Sequence, residues 1–172
     1  MKRLFGLLLA SILSLPALAL EVGDPAPDFS LQGSNGKTYS LADFKGKQAV
    51  VIAWFPKAFT RGCTIECKSL AENGHLIRQY DTTYFMASTD KVETNTKFAE
   101  KQEADFPLLS DPDGAVAKAY GVLVPAVKVA RRVTIYIGMD GNILKIDEDI
   151  KPATSAEDIA RTLGELGVER KG

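Results

Sequence analysis

Cysteine and histidine are scarce in this chain: two cysteines and one histidine among 172 residues. Two cysteines are too few for a disulfide framework, yet both lie in one short segment, as Cys63 and Cys67, which suggests chemistry in place of stapling. Basic runs are absent as well. With 21 Lys and Arg against 22 Asp and Glu, there is no electrostatic reason to expect nucleic acid or anionic lipid as a partner. The longest apolar stretch, Leu4 to Leu15, falls short of the ~20 residues that a membrane-spanning helix needs. No internal repeat, low-complexity tract or linker interrupts the rest.

That apolar stretch has another reading. Lys2 and Arg3 form a short basic region, Pro16 breaks the run, and Ala17-Leu18-Ala19 offers small residues where a signal peptidase cuts. Residues 1–19 are therefore expected to be a signal peptide cleaved after Ala19, giving a periplasmic or secreted protein with no membrane attachment after cleavage. No cysteine follows the small residues, which argues against a lipid anchor. The mature part, residues 20–172, has a length that suits a single domain with a sizeable core. Without Lys2 and Arg3 it carries 19 basic and 22 acidic residues, a net charge of −3.

Along that domain the hydrophobic pattern predicts strands alternating with helices. Phe29 to Leu31 and Thr38 to Leu41 flank Ser34-Asn35-Gly36-Lys37, a hairpin signal. Leu41 to Phe44 reads as a short helical turn. Gln48 to Phe55 is a near-continuous apolar run, as in a strand buried on both faces. A helix is expected from Cys63 to about Tyr80, a second central strand over Thr83 to Ser88, and a helix over Val92 to Lys101. A short strand at Phe106 to Leu109 and a helix at Ala115 to Tyr120 follow. Val133 to Ile137 and Ile143 to Ile146 read as a hairpin, and Ser155 as the cap of a final helix, with Asp158 completing a box-like start. This order predicts an α/β, thioredoxin-like fold: a mixed sheet flanked by helices, with extra N-terminal strands.

The chemistry is expected where the apolar strand ends. A strand leading through Pro56-Lys57-Ala58-Phe59-Thr60-Arg61-Gly62 into a helix places that loop at the carboxyl edge of the sheet, where open α/β sheets keep their sites. Cys63 falls in the first helical turn, where free backbone N–H groups and the positive end of the helix dipole favour a thiolate. A buried apolar role for Cys63 conflicts with its neighbours Thr60, Gly62 and Thr64.

The segment Pro56-x-x-x-Thr60-x-x-Cys63, continued by Gly62-Cys63-Thr64-x-Glu66, resembles the active-site motif of peroxiredoxins. Phe55 to Leu70 as a whole is similar to the bacterioferritin-comigratory or Q-type subfamily. Gly23-Asp24-x-Ala26-Pro27-Asp28-Phe29 resembles the family's opening. Leu109-Ser110-Asp111-Pro112 and Tyr120-Gly121-Val122 resemble its middle, so nearly the whole mature chain is covered.

The resemblance implies a thiol-dependent peroxidase for hydrogen peroxide or organic hydroperoxides, with no cofactor and no metal. Cys63 would be the peroxidatic thiolate that becomes a sulfenic acid. Thr60 would align the peroxide, Pro56 would shield the sulfur, and the backbone N–H groups of Gly62 and Cys63 would bind a peroxide oxygen. The family's Arg-x-Thr-aromatic pattern fits Arg132-Val133-Thr134-Ile135 and assigns the fixed cation to Arg132. Its neighbour Arg131 must point to the other face. Glu66, one turn after Cys63, would orient Arg132 by a charge-assisted hydrogen bond or else be an exposed helix residue. Cys67 is the candidate resolving thiol, or else a buried structural one. An exported protein would draw electrons from a thioredoxin-like protein or a small thiol, and would act as a monomer or weak dimer.

Two departures and two rivals stand beside this reading. Arg61 replaces a proline found in many members, and Cys67 lies four residues after Cys63 where such members usually have five. Phe59 and Trp54 read as packing, and His75 as a surface residue of the helix. A thioredoxin-type thiol–disulfide oxidoreductase would need Cys-x-x-Cys, which this chain lacks. A Sco-like copper-binding protein would need a distal histidine, whereas His75 lies on the cysteine helix itself.

Overall fold

The computed structural model describes residues 19–172, so the expected signal peptide lies, apart from Ala19, outside the described residues. Among them no helix is long and apolar enough to cross a membrane. The chain opens with an antiparallel hairpin, β1 (Ser30–Gly33) and β2 (Thr38–Ser40), pairing Leu31 with Tyr39. A 3-10 turn over Leu41–Asp43 leads to β3 (Ala49–Trp54) and then α1 (Arg61–Ile77). β4 (Thr82–Ser88), α2 (Val92–Lys101), β5 (Leu108–Ser110) and α3 (Ala115–Ala119) follow. A small hairpin of β6 (Leu123–Val124) and β7 (Val129–Ala130) precedes β8 (Val133–Ile137) and β9 (Ile143–Asp147), and α4 (Ser155–Glu165) closes the chain.

One mixed sheet in the order β2-β1-β5-β4-β3-β8-β9 carries the fold. β3, β4 and β5 run parallel, and the remaining pairs are antiparallel. β3 sits centrally and is buried along its whole length, as an unbroken apolar run demands. Its alternate residues feed two cores. Val51 and Ala53 pack towards α1, α2 and α4, whereas Val50, Ile52 and Trp54 pack with Phe29, Leu41, Ala117 and Tyr120 on the other face. Leu20, the expected first mature residue, rests against this second core.

Two expectations shift. The final helix is capped one residue earlier than the sequence suggests: Thr154 is the N-cap, and its hydroxyl donates to Asp158 Oδ2 at 2.7 Å. Ser155 becomes the first helical residue and is buried. The reason is the preceding 3-10 turn, Pro152–Thr154, which already bends the chain towards α4. The β6–β7 hairpin was not expected, because its strands are only two residues long and Pro125 lies between them.

Candidate active site

The sheet register brings the reactive segment and the late arginine together. Trp54, the last residue of β3, pairs with Val133, the first of β8. Arg132, one position before Val133, therefore stands beside the loop that leaves β3 for α1. Val133 packs into the core away from α1, so alternation turns Arg132 towards it. Its Nη2 donates to Cys63 Sγ at 3.3 Å, and its Nη1 donates to Glu66 Oε2. Arg131 faces outward, donating to Glu148 Oε1 at 2.6 Å and to the Gly121 carbonyl at 3.0 Å. Of the two neighbours, only Arg132 reaches the sulfur.

Gly62 makes room for that guanidinium. A Cβ at this position would lie 3.0 Å from Arg132 Nη2, so a side chain there would press directly on the ion pair. Pro56 is half-buried in the loop between Phe55 and Ala58.

Cys63 corrects the sequence reading in one respect. It is 1% exposed and belongs to the apolar cluster of Val51, Phe55, Ala58 and Cys67. Its small neighbours Thr60, Gly62 and Thr64 lie on the outer side of the turn, all partly or fully exposed, while the sheet and Ala58 close the inner side. Thr60 is not joined to the sulfur: it is the N-cap residue of α1, and its hydroxyl donates to the Lys57 carbonyl at 2.8 Å. Cys63 and Cys67 are both free thiols. Burial pushes the Cys67 thiol up to about 12, and the nearby Glu66 and Cys63 push the same way, so Cys67 is a neutral thiol in this fold.

Glu66 is fully buried. Burial raises its carboxyl from 4.5 to about 7, against the pull of Arg132 and the smaller one of Ser155. Arg132 is also partly desolvated, which favours its neutral form, but Glu66 and Cys63 outweigh this and hold it charged. A buried pair of this kind orients its partners; its net contribution to stability is small because desolvation offsets attraction.

Sequence reasoning missed how the loop is held. The Ala58 N–H donates to Asp90 Oδ2 at 2.8 Å, and Ser88 Oγ contacts the same oxygen at 3.1 Å. Phe59 sits at φ 65°, a left-handed conformation unusual for an aromatic residue. Its ring meets that of Phe98 edge-on, with centroids 5.1 Å apart. The only sequence signal was the Ser88-Thr89-Asp90 cluster at the end of a central strand. Trp54 and Tyr120 pack ring to ring at 6.2 Å, and His75 is exposed on α1. Among the described residues, no three His, Cys, Asp or Glu side chains converge as a metal site.

Known proteins resemble this chain in sequence and fold. The AhpC/TSA family model matches residues 22–146. Peroxiredoxin Bcp of Escherichia coli K12 is 34% identical over 152 residues, covering 85% of this chain and 97% of that protein. Peroxiredoxin Bcp of Bacillus subtilis is 29% identical over 155 residues, covering 87% and 98%. Peroxidoxin BcpB from Mycobacterium tuberculosis superposes with a TM-score of 0.75 at 30% identity, covering 85% of this chain and 97% of that one. A cysteine-to-serine mutant of PrxQ from Xylella fastidiosa gives 0.78 at 26% identity, covering 86% and 98%. The chain belongs to the AhpC/TSA family and, within it, is a peroxiredoxin of the bacterioferritin comigratory protein or Q type, a thiol-dependent peroxidase.

Proposed function

We propose that the chain reduces hydrogen peroxide or organic hydroperoxides with the Cys63 thiolate as nucleophile. The observation that carries this reading is the Arg132 guanidinium 3.3 Å from Cys63 Sγ, at the first turn of α1. Cation and helix dipole together put positive charge where the thiolate and the developing leaving oxygen carry negative charge. In the first step the sulfur attacks one peroxide oxygen and the O–O bond breaks. The sulfur is oxidised to a sulfenic acid, the other oxygen departs as alkoxide or hydroxide, and a proton from solvent completes the alcohol or water. Thr60 turns its hydroxyl from the Lys57 carbonyl to the peroxide on binding, Pro56 limits water at the sulfur, and the Gly62 and Cys63 amides face the peroxide oxygen.

In the second step a thiol attacks the sulfenic acid, giving a disulfide and water. Cys67 is the proposed attacker. At i, i+4 on a helix the Cβ atoms are about 5–6 Å apart, whereas a disulfide requires roughly 3.5–4.5 Å. The first turn of α1 therefore unwinds before the bond closes. The burial of Cys67 and its strongly protonated state favour a second reading, in which a thioredoxin-like protein or small thiol attacks Cys63 directly. In either case such a donor returns the enzyme to its thiol form, and the chain acts as a monomer or weak dimer.

Mass spectrometry after one equivalent of peroxide separates the routes. A Cys63–Cys67 link, lost in Cys67→Ser, supports the internal route. A trapped Cys63 sulfenic acid with no internal link would assign resolution to the external thiol. Export to the periplasm, supported by the basic, apolar and small-residue order of residues 1–19, predicts a mature N-terminus at Leu20. N-terminal sequencing of protein from a periplasmic fraction tests it, and an intact Met1 would contradict it.

A further inference from the structure

Behind the ion pair lies a group of polar atoms that the peroxide chemistry does not use. Glu66 Oε1, Ser155 Oγ and Thr134 Oγ1 are buried and, like Trp54 Nε1 and Glu157 Oε2 among the described residues, lie outside full hydrogen-bonding geometry with any protein partner, although the Ser155 hydroxyl faces the Glu66 carboxylate closely enough to favour its ionised form. Buried polar atoms are nearly always satisfied by protein or ordered water, so three in one region need a reason. Thr134 follows Arg132 by two residues on β8 and shares its face; Ser155 opens α4, which packs on α1, and faces the Glu66 carboxylate. Thr134 and Ser155 also line a pocket of about 240 Å³. Its rim is charged: Lys145 and Asp147 from β9, Asp149 and Lys151 from the following loop, and Asp158 and Arg161 from α4.

We propose that Glu66, Ser155 and Thr134 hold a bound water that joins the active-site carboxylate to this pocket, so that Glu66 exchanges its proton with solvent from the side away from the peroxide. Ser155 and Thr134 are then positioning residues acting through Glu66. The inference rests on the reading of Arg132 as the cation of the peroxidase site, and it adds what controls that cation. With Glu66 ionised, Arg132 has its anchoring anion; with Glu66 protonated, the anchor is neutral.

The groups facing Glu66 fit such control. Arg132 approaches from the start of β8 and favours the carboxylate. Cys63 and Cys67 lie on its own helix, and from α4 comes only the Ser155 hydroxyl, which also favours the ionised form. The rim charges are largely paired with one another, Lys145 with Asp147 at 3.3 Å and Arg161 with Asp158 at 2.7 Å. They thus hold a polar mouth without placing a net charge on the carboxylate. Exchange requires no other reactant: the carboxyl gives its proton to the water, and the pocket passes it to solvent.

The test is the titration of Glu66 in the full-length reduced enzyme, read from the carboxyl carbon by NMR without peroxide. Ser155→Ala and Thr134→Val are expected to raise the midpoint, the first by about one unit, a tenfold change in protonation. Ser155→Thr is expected to restore it. The pH profile of Cys63 oxidation moves with the midpoint, losing rate on the acid side and keeping it at pH 9. Unchanged midpoints in both variants overturn the proposal. So does a shift in Ser155→Ala with none in Thr134→Val, which would leave Ser155 a direct partner with no link to the pocket. Because the titration needs no peroxide, absence of peroxidase activity would refute the function without moving this result.

Discussion

Glu66→Gln isolates the cost of a buried carboxylate and should change how stability depends on pH. The folded protein holds the Glu66 carboxyl at about 7, against 4.5 for the exposed group. Between these values the folded state binds a proton that the unfolded state has released. Glu66 therefore contributes stability that is fully present below pH 4.5 and is lost as pH rises through about 7. Linkage over that shift gives roughly 2–3 kcal/mol of stability lost between pH 5 and pH 8. In a domain of this size that corresponds to roughly 5–10 °C in Tm. Glutamine keeps the shape and does not titrate, so Glu66→Gln should lack this slope. Other titrating groups cancel when the variant is subtracted from wild type. Urea unfolding under reducing conditions, at whole pH steps from 5 to 8, measures the difference directly. Wild type should lose ground to Glu66→Gln as pH rises. A constant difference, or one growing in favour of wild type, would mean that Arg132 outweighs burial and that Glu66 is ionised throughout.

Other substitutions test separate parts of the structure. Arg132→Met should slow oxidation of Cys63 by peroxide about 10²-fold, the scale of one preorganised donor. It should also destabilise the fold by about 3–5 kcal/mol at pH 8 by stranding Glu66. Arg131→Met removes an exposed pair with Glu148 worth at most about 1 kcal/mol and an exposed hydrogen bond to the Gly121 carbonyl, neither touching the sulfur, and rapid mixing with peroxide should show a wild-type rate. Gly74→Ala should destabilise by roughly 1–3 kcal/mol despite alanine's better helix propensity. Its Cβ would fall 2.1 Å from Tyr84 Oη, which accepts a hydrogen bond from Arg78 at 2.7 Å, and Tyr84 is itself packed on Phe106. A raised Tm for that variant would contradict the packing described.

Much of the fold was legible because its signals are local. The unbroken apolar run ending at Phe55 marks a strand buried on two sides, and Val92–Lys101 shows a helical pattern between clear boundaries. What the sequence could not reveal depends on distant contacts. Cys63 is buried because Arg132, 69 positions away, and the sheet beneath cover it, so its polar neighbours misled. Asp90 reaches Ala58 across 32 positions, and no local pattern marks that bond. Ser155 looked like a cap because Ser and Asp at that spacing usually are; the 3-10 turn before it moved the cap to Thr154 and left Ser155 inside. The resemblance to the family's Arg-x-Thr-aromatic pattern pointed to Arg132, alternation along a strand allowed only one of Arg131 and Arg132 at the site, and the β3–β8 register places Arg132 there.

The central claim is that Cys63 carries the reaction, and steady-state peroxide consumption with a thiol donor tests it most directly. Wild type should consume hydrogen peroxide or an organic hydroperoxide in proportion to enzyme, and Cys63→Ser should fall to the rate of the donor alone. Cys67→Ser should keep the first oxidation of Cys63, seen as a single fast turnover. Undiminished consumption by Cys63→Ser would contradict the account.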